Sequence, residues 1–172
     1  MRHIRSICAA ALALGLALTL SSCGEDERHD AQFVAMDTVM GLTAYGKSGE
    51  EALAAAESVI SALDNALDPE RIGSTAYEIN NSPDGVVVTG QTAEMLLAAQ
   101  EVYERSGGAM DLTVYPLVKA WGFVDSRYRV PSEAELESLM GNVGFDGVSI
   151  SALTDSDGYR VYVPAGSKLS FA

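Results

Sequence analysis

The segment Ser106-Gly107-Gly108-Ala109-Met110-Asp111 combines residue types that could do chemistry at a fixed spacing. Two glycines and an alanine let a ligand come close to the main chain. Asp111 follows at once and can accept from a ring N–H or a hydroxyl. It can equally cap the next turn, in which case the glycines are a helix exit and nothing more. Spacing leaves both readings open. Further on, Trp121-Gly122-Phe123 sets two large rings beside a glycine, which suits a core or, less often, stacking on a planar ligand. Asp155-Ser156-Asp157-Gly158 resembles a calcium loop but lacks the later glutamate for bidentate closure, so it reads as a hairpin turn.

Other chemistry is excluded by composition. The chain has two histidines, His3 and His29, one in an N-terminal leader and one in a polar segment after it. A histidine base or histidine metal cluster is therefore not expected in the folded part. There is no Gly-x-Gly-x-x-Gly after a strand, no phosphate-cradling Gly-Lys loop and no Gly-x-Ser-x-Gly elbow. The 172 residues carry a formal charge of −13. Such a chain repels phosphates, so no nucleic-acid partner is expected. An anionic ligand would need local neutralisation by a cation, a helix N-terminus or backbone amides.

The leader is an address. Arg2 and Arg5 precede an apolar run from Cys8 to Leu20, too short to span a bilayer, and Leu20-Ser21-Ser22-Cys23 closes it. Residues 1–22 read as a lipoprotein signal peptide and Cys23 as the lipidated residue, since only a thiol can take the diacylglycerol there. Residues 23–31 read as a lipidated tether and 32–172 as the domain. The expected location is the cell membrane, lipid-anchored on the extracytoplasmic face. Cys8 leaves with the signal, so no disulfide is available.

The elements that must position the candidate residues follow from periodicity. Residues 32–45 alternate with period two through Val34, Met36, Met40 and Leu42, which predicts one strand. Ser48-Gly49-Glu50-Glu51 is a capping box for a helix burying Leu53, Ala56, Ile60, Leu63 and Leu67 up to Pro69. Residues 70–85 read as irregular, 86–88 as a strand and 91–106 as a helix leaving through Gly107-Gly108. Ser132 to Glu135 is a second capping box, and strands follow at 147–151 and 159–163. The fold class is α+β, with helices packed on a largely antiparallel mixed sheet. Lys168 to Ala172 reads as the start of a further element.

Several stretches together resemble one family. Phe33 to Gly41 with Tyr45-Gly46, then Ser74 and Ile79-Asn80, are similar to its opening. Ser106 to Val118 followed by Trp121-Gly122-Phe123 is similar to its most diagnostic run, and Val130-Pro131-Ser132 with Glu135 to the segment after it. The family is that of ApbE-type FAD:protein FMN transferases, bacterial lipoproteins. The resemblance implies a two-half, T-fold-like domain of which this chain resembles the first half. It implies FAD as substrate, Mg²⁺, transfer of FMN to a Thr or Ser hydroxyl of an acceptor flavoprotein of a membrane or extracytoplasmic electron-transfer system, and release of AMP. Met40, Ala109, Met110 and Asp111 are the flavin-binding positions it carries over. It assigns no catalytic residue and no metal ligand within this stretch.

The chain departs from the family at Leu67-Asp68-Pro69-Glu70, where some members have a tyrosine, and at Ser170, where some have aspartate. The family's next motif would begin after Ala172, so the expectation is that these residues alone do not transfer flavin. The alternative expectation is an FAD-binding or FAD-hydrolysing lipoprotein without a protein acceptor.

Overall fold

Strand β1 (Arg28–Ala35) and strand β2 (Thr38–Tyr45) pair as a two-stranded sheet. The two-residue link between them permits only a hairpin. The computed structural model describes residues 27–171, so the signal peptide and Cys23 lie outside the described residues. Two expectations are corrected here. The tether does not reach Ala31, because strand begins at Arg28. Asp30 Oδ1 takes Arg28 Nη2 at 2.8 Å and Thr43 Oγ1 at 2.7 Å, so polar side chains tie β1 to β2. The single strand over 32–45 is two, because Met36 and Asp37 both adopt positive φ, 49° and 54°, and reverse the chain. The turn also flips the phase of alternation. The shielded positions are Ala31, Phe33 and Ala35 in β1 but Met40, Leu42 and Ala44 in β2, and Val34 is 74% exposed.

The described residues form two compact units, one of residues 27–33 with 39–57 and one of 34–38 with 58–171. In the first, helix α1 (Gly49–Leu67) begins, with Ala52 N–H donating to Ser48 O at 2.9 Å. His29, half-buried on β1, approaches Gly46 O at 3.1 Å through Nε2. Its ring occupies the space that any side chain at residue 49 would need, which is why Gly49 stands there. His29 is thus a packing residue of a strand.

In the second unit α1 ends with Leu67 buried. Helix α2 (Thr75–Asn81) follows, where the sequence reads as irregular. It is too short to show a period. Ser74 caps it by accepting from Tyr77 N at 2.9 Å, and Ala76 and Ile79 enter the core. Strand β3 (Val86–Val88), helix α3 (Gly90–Ser106), helix α4 (Tyr115–Ala120) and helix α5 (Glu133–Met140) come next. The Ser132 cap forms as expected, with Glu135 N–H on Ser132 Oγ at 3.3 Å.

Strands β4 (Ser149–Ala152) and β5 (Tyr159–Tyr162) complete an antiparallel sheet of order β3-β5-β4, with Val161 opposite both Val86 and Ile150. Leu153 N–H donates to Gly158 O at 2.9 Å across the Asp155–Gly158 turn. The core gathers Ile79, Val88, Leu96, Phe145, Val161 and Leu169. After β5 the chain runs beside residues 112–114, through a parallel bridge Val114–Lys168 and Ser170 N–H on Leu112 O at 2.7 Å. Asn80 grips this last segment with both ends of its amide, donating to Leu169 O at 2.9 Å and accepting from Leu169 N at 2.7 Å.

Candidate functional site

The second unit contains a cavity of about 720 Å³. Its walls come from the β1–β2 turn, the end of α1 with the loop after it, helix α4 with the loop beyond, and residues 170–171. Each wall has a local cause. At the turn, both central residues are left-handed, the geometry of a type I′ hairpin that normally takes Asn-Gly. An L-residue there costs roughly 1–2 kcal/mol, less for Asp than for Met. Met36 N–H donates to Asp64 Oδ1 at 2.9 Å, which ties the turn to the last turn of α1.

At the α1 end, Ser74 Oγ donates to Asp68 O at 2.5 Å and Glu70 N–H to Asp68 Oδ1 at 2.9 Å. Glu70 then reaches α4. The hydroxyl of Tyr115, a residue 3% exposed, donates to Glu70 Oε1, and Lys119 Nζ donates to the same oxygen at 3.0 Å. Beyond α4 the chain folds tightly over Gly122, at φ 77°, where a Cβ would overlap Arg127 O. Arg129 N–H closes this loop on Trp121 O at 3.0 Å. The loop leaves Phe123 and Tyr128 edge to face at 5.7 Å between centroids, 58% and 70% exposed, both on the cavity wall. Ring faces of this kind suit a planar aromatic ligand.

The electrostatics are acidic on one side and basic on another. Asp37, Asp64, Asp68 and Glu70 line the cavity. A second, shallower hollow of about 390 Å³ is lined by Lys119, Arg129 and Lys168 among others. Each of these cations has a partner. Lys119 meets Glu70, Lys168 Nζ meets Asn81 Oδ1 at 3.2 Å, and Arg129 Nη1 meets Glu135 Oε2 at 2.8 Å. The hydrogen bond from Arg129 holds the Glu135 carboxyl below its ordinary pKa. Among the described residues, no group of three or more His, Cys, Asp or Glu is placed to hold a metal ion.

The Gly-Gly-Ala-Met-Asp stretch behaves differently. Gly107, at φ 64°, is the left-handed exit of α3, its N–H on Glu104 O and Tyr103 O. Asp111 Oδ1 accepts from Thr113 N at 2.7 Å and from Thr113 Oγ1 at 2.6 Å. Thr113, fully buried, in turn accepts from Gly144 N at 2.7 Å. Asp111 therefore organises the turn into α4, as its capping alternative predicts, while its other oxygen is not used by these bonds. Ala109 and Met110 are exposed. Met40 lies half-buried in β2, in the first unit. None of Met40, Ala109, Met110 and Asp111 lines the cavity. Met36, Asp37, Asp64 and Tyr128 do line it; the first two fall in the Phe33–Gly41 family stretch, and Asp64 and Tyr128 carry no sequence motif. Sequence alternation runs unbroken from Val34 to Ala44, so it gave no signal for the turn.

The ApbE family profile matches residues 36–169. Among solved structures, the ApbE protein of Thermotoga maritima is 26% identical with a TM-score of 0.71, over 84% of this chain and 47% of its own. The flavinyl transferase ApbE of Pseudomonas stutzeri, in its apo form, is 25% identical with a TM-score of 0.68, over 87% of this chain and 49% of its own. The flavin transferase ApbE of Vibrio cholerae, at 20% identity and a TM-score of 0.68, shares the fold. This chain thus spans about half the length of the solved relatives it matches. No curated protein matches it significantly by sequence.

Proposed function

This chain belongs to the ApbE family, and on that premise we propose that it binds FAD and serves FMN transfer to a protein hydroxyl. The observation that carries the reading is geometric. Two stretches that bear the family resemblance, 33–41 and 106–118 with 121–123, contribute to the walls of one cavity, through Ala35, Met36 and Asp37 on one side and Tyr115, Val118 and Phe123 on another.

In the proposed reaction a Thr or Ser oxygen of the acceptor attacks the FMN phosphorus of FAD. A phosphoester bond forms, the pyrophosphate P–O bond breaks, AMP leaves and the hydroxyl proton passes to solvent. Such a transfer asks a protein mainly for positioning. Phe123 and Tyr128 offer ring faces to a planar moiety, and the turn at Met36–Asp37 bounds it. Asp111, with its free edge, remains the proposed polar contact to the flavin ring at the mouth of α4. Ala109 and Met110 belong with it in the proposed flavin-binding set, and Met40 of the first unit is proposed as a flavin-binding position from the family resemblance alone.

Bound Mg²⁺ would neutralise the pyrophosphate and the charge building on AMP. The described residues do not offer it a ligand group, so no step is assigned to it. The acceptor is proposed to be a flavin-carrying protein of an extracytoplasmic or membrane electron-transfer system. Cys23 is proposed to receive lipid and to anchor the protein to a cell membrane on the extracytoplasmic face. No described helix is long and apolar enough to cross a membrane.

The test is incubation with FAD, Mg²⁺ and an acceptor flavoprotein subunit, following covalent FMN on the acceptor by in-gel fluorescence and AMP by chromatography. Both products support the reading. AMP without protein-bound FMN supports hydrolysis instead. Absence of FAD binding in a titration overturns both. For the anchor, a Cys23→Ser variant should move from the membrane fraction to the soluble fraction, and an unchanged distribution refutes lipidation there.

A further inference from the structure

We propose that Asp64 is a positioning residue for the ligand of the large cavity, acting through the Met36–Asp37 turn. The inference rests on the proposed flavin function for the identity of that ligand, and on geometry for everything else. Asp64 lies in the last turn of α1 and is 28 positions from Met36, whose amide it accepts at 2.9 Å. Met36, Asp37 and Asp64 all line the same cavity.

Two independent features say that this contact is not a by-product of folding. The first is the turn itself. Met36 sits at φ 49°, where a methionine has no preference to be and where an asparagine or glycine would rest without help. A strained residue of this kind persists only where its surroundings hold it, and Asp64 supplies the hold. The second is the helix. A carboxylate in the last turn opposes the helix dipole, and the last turn of α1 carries no basic residue to offset it. Asp64 is therefore unfavourable for α1 and favourable for the turn. A residue that breaks the local rule of its own element in order to fix a neighbouring one is the pattern of a site.

The consequence is specific. With the bond made, the Met36 and Asp37 side chains form one fixed wall of the cavity. Without it, the turn is free to relax toward right-handed φ and carry that wall away. Asp64 touches the turn and acts on the ligand through it, so affinity is what it controls.

The experiment measures FAD affinity by quenching of flavin fluorescence in the parent protein, Asp64→Leu and Asp64→Asn, beside their thermal midpoints. Asparagine keeps an acceptor oxygen and leucine does not. Loss of the side-chain acceptor predicts Kd for FAD raised about tenfold or more in Asp64→Leu, and its retention predicts Kd within about threefold of the parent in Asp64→Asn. Equal affinity of Asp64→Leu and parent overturns the proposal, as does a fall in midpoint for both variants with no change in affinity. Should Asp64→Leu not fold, hydrogen exchange at the Met36 amide decides. Slow exchange in the parent, retained in Asp64→Asn, supports the hold, and rapid exchange in the parent overturns it. A parent that binds no FAD refutes the flavin function, while the exchange result still judges Asp64.

Discussion

The glycine-rich exit of α3 and the β1–β2 turn reach left-handed backbone by opposite means. At Gly107 and Gly108, φ values of 64° and 84° sit on residues that adopt them freely, and the result is a helix end. At Met36 and Asp37, similar angles sit on residues that resist them, and the result is a cavity wall held from α1. The difference teaches that glycine marks where a turn is easy. A strained residue with a side-chain hold marks where a turn is wanted despite its cost.

The largest expected effect breaks the glycine side of this contrast at its exit. Asp111→Ala removes two bonds to Thr113 and leaves a buried hydroxyl short of its acceptor, so stability should fall by about 2 kcal/mol. Asp111→Asn keeps the acceptor oxygen and should melt near the parent. A loss of FAD binding in Asp111→Asn at unchanged midpoint would give this residue the ligand role as well, and retained binding would leave it the cap alone.

Two exchanges of about equal size then sharpen the contrast. Gly107→Ala meets no atom within 4 Å, so only its backbone angle resists, and chemical denaturation should show a loss of about 1 kcal/mol. Met36→Asn goes the other way and should gain about 1 kcal/mol, because asparagine accepts the left-handed region. The same exchange should weaken FAD binding, since it alters the wall. A loss of stability in Met36→Asn would mean that the methionine side chain outweighs its strain.

The smallest effect concerns Tyr103, whose ring lies 3.5 Å from where a Cβ of residue 108 would stand. Its hydroxyl donates to Asp146 Oδ2 at 3.0 Å, and this bond, with burial and the nearby charges of Asp146 and Asp111, raises its pKa above the ordinary value. The folded state therefore holds the phenol proton more tightly than the unfolded one. The resulting stability is complete below about pH 10 and is lost as pH climbs through the folded value. Midpoints measured between pH 8 and 11 should fall less steeply in Tyr103→Phe than in the parent, and parallel curves would contradict this.

Much of the fold was legible because its elements are long or capped. The stripe from Leu53 to Leu67, the exit at Gly107 and the Ser132 cap all declare themselves in local sequence. Helix α2 did not, since two turns show no period and its stability comes from burying Ile79 and from the Asn80 grip. The turn at Met36–Asp37 was hidden because alternation continues on both sides of it with the phase reversed. The site was legible as family stretches and not as a cavity. Asp64, Glu70 and Tyr128 are ordinary residues in sequence, and they become wall only when segments far apart in the chain are brought together.

The amide of Asn80 has a consequence for synthesis. Its partner, Leu169, is 89 residues downstream. At translation speeds of about 5–20 residues per second, the α2 segment waits roughly 5–20 s for the terminal segment that secures it. Over that interval Asn80 lacks the backbone it grips, an opening for a chaperone that holds the unfolded chain. A translational pause between the two partners would lengthen it.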